Sequence, residues 1–266
     1  MTSMKTAFFA TVASLAVAGA ANATPAIGLS GDKTLVMIDS ETAQVTGTME
    51  VSGVDNLLGI DLRPATGQLI GVTAGHEIVE IDPATGEATV ISKMDVMLPS
   101  TDGPVIVDFN PAANKLRFMT GTTNHRVDIE SGKVTVDGSL AFEGSDMHAG
   151  EAPNIVAAAY INSYGKPEKT AMYDIDATIV AVIQQTSPND GTLAAIGKLG
   201  IDASDAYAFD VATDADGNNA AWLAAGGMLH SVSLETGKVT ESWEIKGLDG
   251  MLRDITFMTA GEMAEM

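Results

Sequence analysis

Repetition constrains this chain more than any other feature. Five short segments share one pattern, an apolar residue between mostly polar neighbours: Asp61-Leu62-Arg63, Asp108-Phe109-Asn110, Tyr160-Ile161-Asn162, Asp210-Val211-Ala212 and Asp254-Ile255-Thr256. They align without gaps and return at roughly 50-residue intervals, the length of one supersecondary unit. Such a unit cannot bury its apolar face alone and must stack on its copies. Within each unit apolar and polar residues alternate, as in Val79-Glu80-Ile81-Asp82, and a period of two marks a strand. The strand pairs are joined by Pro83-Ala84-Thr85-Gly86, Glu130-Ser131-Gly132 or Glu235-Thr236-Gly237, loops that place glycine where a hairpin needs positive φ. Outside the first residues there is no helical period.

The last unit defines the topology. After Asp254 too little chain remains for a set of strands, whereas residues 24–58 hold three strands with no leading strand before them. Joined, the two pieces complete one more interval. The expected fold is therefore all-β, a five-bladed β-propeller closed by pairing its N- and C-terminal strands, with residues 252–258 innermost and residues 26–51 completing that blade. Closure would remove free sheet edges. A pair of β-sandwiches is the substitute arrangement. Residues 143–153 lack alternation and read as a surface loop, and residues 261–266 as a fraying tail.

The start of the chain speaks to address. Lys5 precedes an apolar run, Ala7–Ala18, and Ala21-Asn22-Ala23 supplies a small-x-small cleavage site. This is the pattern of a signal peptide over residues 1–23, leaving residues 24–266 as a single domain of an exported protein, periplasmic or extracellular. The apolar run is too short to span a bilayer, so membrane insertion is not expected. With Cys 0, packing alone must hold the domain, and zinc sites built on thiolates are excluded. The balance of 14 Lys+Arg against 35 Asp+Glu, net −21, opposes nucleic acid and anionic lipid as partners. It suits a divalent cation or a cationic partner, and equally a solvated acidic surface. A monomer is expected.

GIDLRPATGQL (59–69), VDFNPAANKLR (107–117), TNHRVDIESG (123–132), AAAYINS (157–163) and QTSPNDGTLAAIGKLGID (185–202) resemble an uncharacterised family of exported bacterial proteins, defined as a domain of unknown function and grouped with β-propellers. The resemblance covers most of the chain. The family pattern sets a Tyr before the strand ending Ile-Asp; Ile78-Val79 stands there instead, and the Tyr is kept at Tyr173-Asp174-Ile175-Asp176. The resemblance implies the propeller and brings no activity or catalytic residue with it.

Candidate site residues follow from the stacked segments. Asp61, Asp108, Asp210 and Asp254 would face one another around a propeller axis, Tyr160 breaking the ring. They offer hard oxygen ligands for Ca²⁺, which takes six to eight; alternatively each carboxylate is satisfied by hydrogen bonds from the next blade. Arg63, Asn110 and Asn162 fall on the same face, and Arg253 sits beside Asp254, so that a polar mouth for a small ligand is one reading and blade-locking Arg–Asp pairs the other. Arg117, Asn124 and Arg126 could extend either. The run Asp214-Ala215-Asp216-Gly217-Asn218 fails as an EF-hand because the first and twelfth positions would be Ala212 and Leu223. His76, His125, His148 and His230 lack metal-ligand spacing and read as strand-surface residues. No G-x-S-x-G is present, and Ala225-Gly226-Gly227 lacks the context of a phosphate loop. The expected function is a non-enzymatic binding module for a small ligand, cation or protein. The alternative is a hydrolase, lyase or lactonase using the axial carboxylates, with Ca²⁺ as its cation.

Overall fold

A computed structural model describes residues 25–258. The signal peptide expected over 1–23, its cleavage point before Thr24 and the tail at 261–266 lie outside the described residues.

The chain opens with β1 (Pro25–Ser30), β2 (Thr34–Asp39) and β3 (Gln44–Glu50). Blade one follows as β4 (Leu57–Leu62), β5 (Leu69–Thr73), β6 (Glu77–Ile81) and β7 (Ala88–Lys93). Blade two is β8 (Ile106–Asn110), β9 (Lys115–Thr120), β10 (Thr123–Asp128) and β11 (Lys133–Val136). A short β12 (Ala141–Phe142) precedes blade three, β13 (Ile155–Tyr160), β14 (Met172–Asp176), β15 (Ala181–Ser187) and β16 (Thr192–Lys198). Blade four is β17 (Tyr207–Thr213), β18 (Asn219–Ala225), β19 (Met228–Val232) and β20 (Val239–Glu244), and β21 (Leu252–Phe257) ends the described chain. Each blade is an antiparallel meander, first strand innermost. Blade three carries β12 as an added parallel edge on β16, which covers an outer edge that alternation alone does not foretell.

β21 pairs antiparallel with β1, Ile27 opposite Thr256 and Gly28 opposite Ile255, so the fifth blade runs β21-β1-β2-β3. The molecule is a closed five-bladed ring. Its core is divided into five wedges, one per blade interface, because each strand exposes a face to each neighbouring blade. Phe109 and Phe118 of blade two pack with Ile70 and Val72 of blade one. Tyr160 packs with Met119 between blades two and three, and Val211 with Ile175 between three and four. Phe257 with Ala224, and Leu62 with Leu29, fill the last two wedges. The closing blade is packed on both sides like the others.

The wedges correct the gapless alignment. Leu62, Phe109, Tyr160, Val211 and Phe257 occupy equivalent places, each facing back towards the preceding blade. The axial residues just before them are Asp61, Asp108, Ala159, Asp210 and Thr256. Tyr160 was therefore stacked one residue out and Asp254 two. A slip of one on a strand exchanges its faces, so Tyr160 fills a wedge instead of breaking a ring. Three of the four histidines are not surface residues: His125 and His230, on middle strands covered on both faces, are 3% and 5% exposed, and His76, in the turn before β6, is 2% exposed.

Candidate functional site

Asp61, Asp108 and Asp210 converge at the axis, with one carboxylate oxygen of each within 4.8 Å of the others. All three are buried. Each accepts a backbone N–H from the inner strand of the next blade present to it: Phe109 N donates to Asp61 at 2.7 Å, Tyr160 N to Asp108 at 2.9 Å and Phe257 N to Asp210 at 2.9 Å. Asp61 takes two more, from Leu62 N at 2.7 Å and the Thr256 hydroxyl at 2.8 Å. Thr256 continues the circuit by accepting Leu62 N at 3.2 Å. Ala159 has no acceptor to offer blade four, and Val211 N bonds its own neighbour Asp210 instead, at 2.6 Å.

Asp254 lies one layer away and performs the same task, accepting Ile60 N at 2.8 Å and Ile255 N at 3.0 Å. Gly59 makes room for it, since a Cβ there would lie 2.7 Å from an Asp254 carboxylate oxygen. Burial pushes all four carboxyls up: Asp61 and Asp108 stand well above the ordinary range, Asp254 reaches about 8 and Asp210 about 6. Charge on neighbouring carboxylates adds to the effect at Asp61, Asp108 and Asp254. Three carboxylates this close fit a hard cation by donor type, but one oxygen of each converges, where Ca²⁺ takes six to eight, and their lone pairs already serve backbone donors.

The other expected residues do not join them. Arg63 turns to blade two, its Nε donating to Asn114 at 2.9 Å and its Nη1 to Glu130 at 2.8 Å. Asn110 caps its own hairpin by accepting Ala113 N at 2.8 Å. Asn162, at φ 62° just beyond β13, exchanges amide bonds with Asn219 of blade four. Arg117 and Asn124 are buried between blades two and three: the Arg117 guanidinium donates to Asp137, Asn124, Asn189 and the Tyr160 hydroxyl. Arg126 meets the same Asp137 at 3.0 Å. Arg63, Arg117, Asn124 and Asn162 bridge neighbouring blades, whereas Asn110 and the Arg126–Asp137 pair bond within blade two. Asp214 closes a hairpin, accepting Asp216 N and Asn218 N.

Two openings lie along the axis. At the end where the inner strands finish, a cavity of about 10 Å³ beside Asp61, Asp210, Thr213 and Thr256 has room for about one water. At the end where they begin, a cavity of about 840 Å³ opens to solvent. Blades one, two, four and five wall it, and the carboxylate trio lies outside its lining. Asp32, Asp102, Asp205 and Asp249 stand on its rim, all exposed. Arg253 is the cation in the lining, and its donors are engaged: Nε by the Gly31 carbonyl at 2.7 Å and Nη2 by the Leu57 carbonyl at 2.8 Å. Of the expected residues only Arg253 lines this mouth. The rim aspartates went unremarked in the sequence, although a signal exists: Asp102, Asp205 and Asp249 each sit in the linker just before an inner strand.

A family model described as domain of unknown function (DUF4394) matches residues 34–256. No curated protein sequence matches the chain. Among solved structures, a protein of unknown function from Bacteroides thetaiotaomicron VPI-5482 is similar at TM-score 0.53 and 16% identity, over 91% of this chain and 66% of that one. A luciferin-regenerating enzyme is similar at TM-score 0.50 and 14% identity, over 84% and 72%. A protein of unknown function from Bacteroides caccae gives TM-score 0.44 and 12% identity over 85% and 75%. With the first two, at these identities, what is shared is fold alone.

Proposed function

The chain belongs to the DUF4394 family, a domain of unknown function, and from that premise we propose that it is a non-enzymatic binding module whose axial mouth takes a small organic cation such as a diamine. The observation that carries this reading is the cavity of about 840 Å³ rimmed by four aspartates, with the guanidinium of Arg253 already bonded to carbonyls. Small-molecule sites span roughly 300–1,000 Å³. The rim carboxylates are distributed around the opening; the close trio at the axis is the acidic group compact enough for a bare metal ion among the described residues. Separated charges suit a ligand with separated ammonium groups. The net charge of −21 would draw it in.

Calorimetric titration with putrescine tests the proposal, with Ca²⁺ as a parallel titrant. Binding should weaken by about tenfold or more in Asp102→Asn/Asp205→Asn/Asp249→Asn, a loss of about 1.4 kcal/mol, and the recovered diamine should be chemically unchanged. Absence of binding, or binding that survives the triple change, would refute it. The enzymatic alternative finds one point in its favour: Asp254 is held up to about 8, the protonated state that a general acid needs. That carboxyl is enclosed against Gly59 and bonded to Ile60 N, an arrangement that favours a structural task. Export remains part of the proposal on the strength of residues 1–23, and a mature N-terminus at Thr24 by mass spectrometry is its expected outcome.

A further inference from the structure

His76 lies at the turn between β5 and β6, in the left-handed region at φ 60° and 2% exposed. It organises the segment that connects β7 to β8. Its carbonyl accepts Met94 N at 3.0 Å, and its ring Nε2 accepts Leu98 N at 3.1 Å. Beyond Leu98, residues Thr101 to Val105 form the blade-two wall of the axial mouth. The same segment is fixed at its start by Asp95, whose amide donates to the Gly132 carbonyl and whose carboxylate accepts Val134 N, and near its end by the Thr120 hydroxyl bonded to the Pro104 carbonyl. Between those fixed points, the bond to His76 is the polar tie that holds the strap down and seats the Leu98 side chain in the wedge between blades one and two, while Val96 and Met97 face solvent.

We propose that His76 is a proton-operated latch: the neutral ring holds Leu98 and the wall of the mouth in place, and protonation of the ring releases residues 96–103. Because Leu98 N–H donates to Nε2, the neutral ring carries its hydrogen on Nδ1, a buried atom that faces the Ala74 carbonyl without closing a well-aligned hydrogen bond. A second proton has only Nε2 to occupy, where it meets the Leu98 N–H head on. The bond is then lost and a charge is left buried, and both effects oppose the closed state. Opening the strap hydrates the ring and relieves both.

The surroundings of the ring support neutrality at ordinary pH. Burial is the chief cause that holds His76 below the usual histidine value; the Ala74 carbonyl, the next largest influence, opposes it, and Lys93 of β7 adds a smaller push in the same direction as burial. From β9 the neighbour is the Phe118 ring, edge-on at 5.3 Å. From β10 it is His125, itself held down by burial and by His76, with Asp137 acting the other way. Two buried imidazoles therefore share this wedge, and charge on His76 disfavours charge on His125.

Hydrogen exchange of the full chain read by mass spectrometry, corrected for intrinsic rates, tests the latch. Protection of residues 96–103 should fall by about tenfold or more between pH 7 and pH 5 while β9 and β10 stay protected. In His76→Gln, whose amide oxygen accepts the same bond without titrating, protection should not change with pH. Protection that is independent of pH in the wild type, or an equal loss with pH in His76→Gln, would overturn the latch. The measurement reads the strap directly, so a mouth that bound no diamine would leave it standing.

Discussion

Asp61 accepts three hydrogen bonds from buried donors, and Leu62 N is the one of them that has a second acceptor, the Thr256 hydroxyl oxygen. Asp61→Ala should therefore destabilise the fold by about 3 kcal/mol in urea denaturation, at 1–3 kcal/mol per abandoned donor less the relief of carboxylate crowding. Asp61→Asn should retain most of that stability, and in either variant the titration of Asp108 should move down, because Asp61 is a main charged neighbour raising it. The elevated carboxyls also set a pH dependence. A carboxyl raised on folding keeps a proton that the unfolded chain has released, so its contribution is full below about pH 4 and is lost as pH climbs through the folded value. Asp254 and Asp174, both near 8, act in this way, as do Asp61 and Asp108. His76, His125 and His230, all lowered by burial, contribute above the unfolded value of 6.5 and lose their effect below it. Between pH 6.5 and 8 only the carboxyls titrate among these groups. Tm should fall across that window, and Asp254→Asn should flatten the slope; a Tm rising over the same range would contradict the assignment. At this scale the sequence was legible in part. An Asp beside an apolar anchor is visible in Asp61, Asp108 and Asp210, but the two-residue period of a strand hides a slip, and Thr256 looks no more axial than Asp254.

The turns that end the outer hairpins turn out to be joints between blades. Gly132, at φ 70°, sits so close to β7 that a Cβ would lie 1.9 Å from the Lys93 carbonyl oxygen. Gly86, Gly191 and Gly237 press in the same manner on the preceding blade, with would-be Cβ contacts of 2.7, 2.3 and 2.4 Å. Blade five uses Ala43 instead, at φ 50° and fully buried, and its carbonyl accepts Lys246 N from beside blade four. Gly132→Ala should thus be strongly destabilising, by about 3 kcal/mol or more, from strain and displacement of β7 together. Ala43→Gly should be milder in either direction, within about 1 kcal/mol, since relief of a left-handed alanine is offset by a freer unfolded chain. Thermal melts of the two variants check the contrast. The glycines were readable as turn residues; that they also abut another blade depends on distant chain and leaves no local mark. The short parallel β12 was invisible for the same reason, since two residues carry no period.

Across the whole molecule, a single long-range pairing makes the ring. Counting strands recovers it from the sequence, because a leading strand is missing at one end and its companions at the other. What that count does not give is the shape of the axis. The inner strands bring their carboxylates together in the closed interior and leave acidic linkers around one wide end, so the residues that looked most like a site hold blades together. The linkers that lead into the inner strands form the mouth. Anomalous difference density from crystals soaked with a bromine-labelled diamine tests this division most directly. The bromine should lie in the cavity bounded by Asp102, Asp205 and Asp249; density only elsewhere on the molecule, or none under soaking conditions that saturate binding in solution, would contradict it.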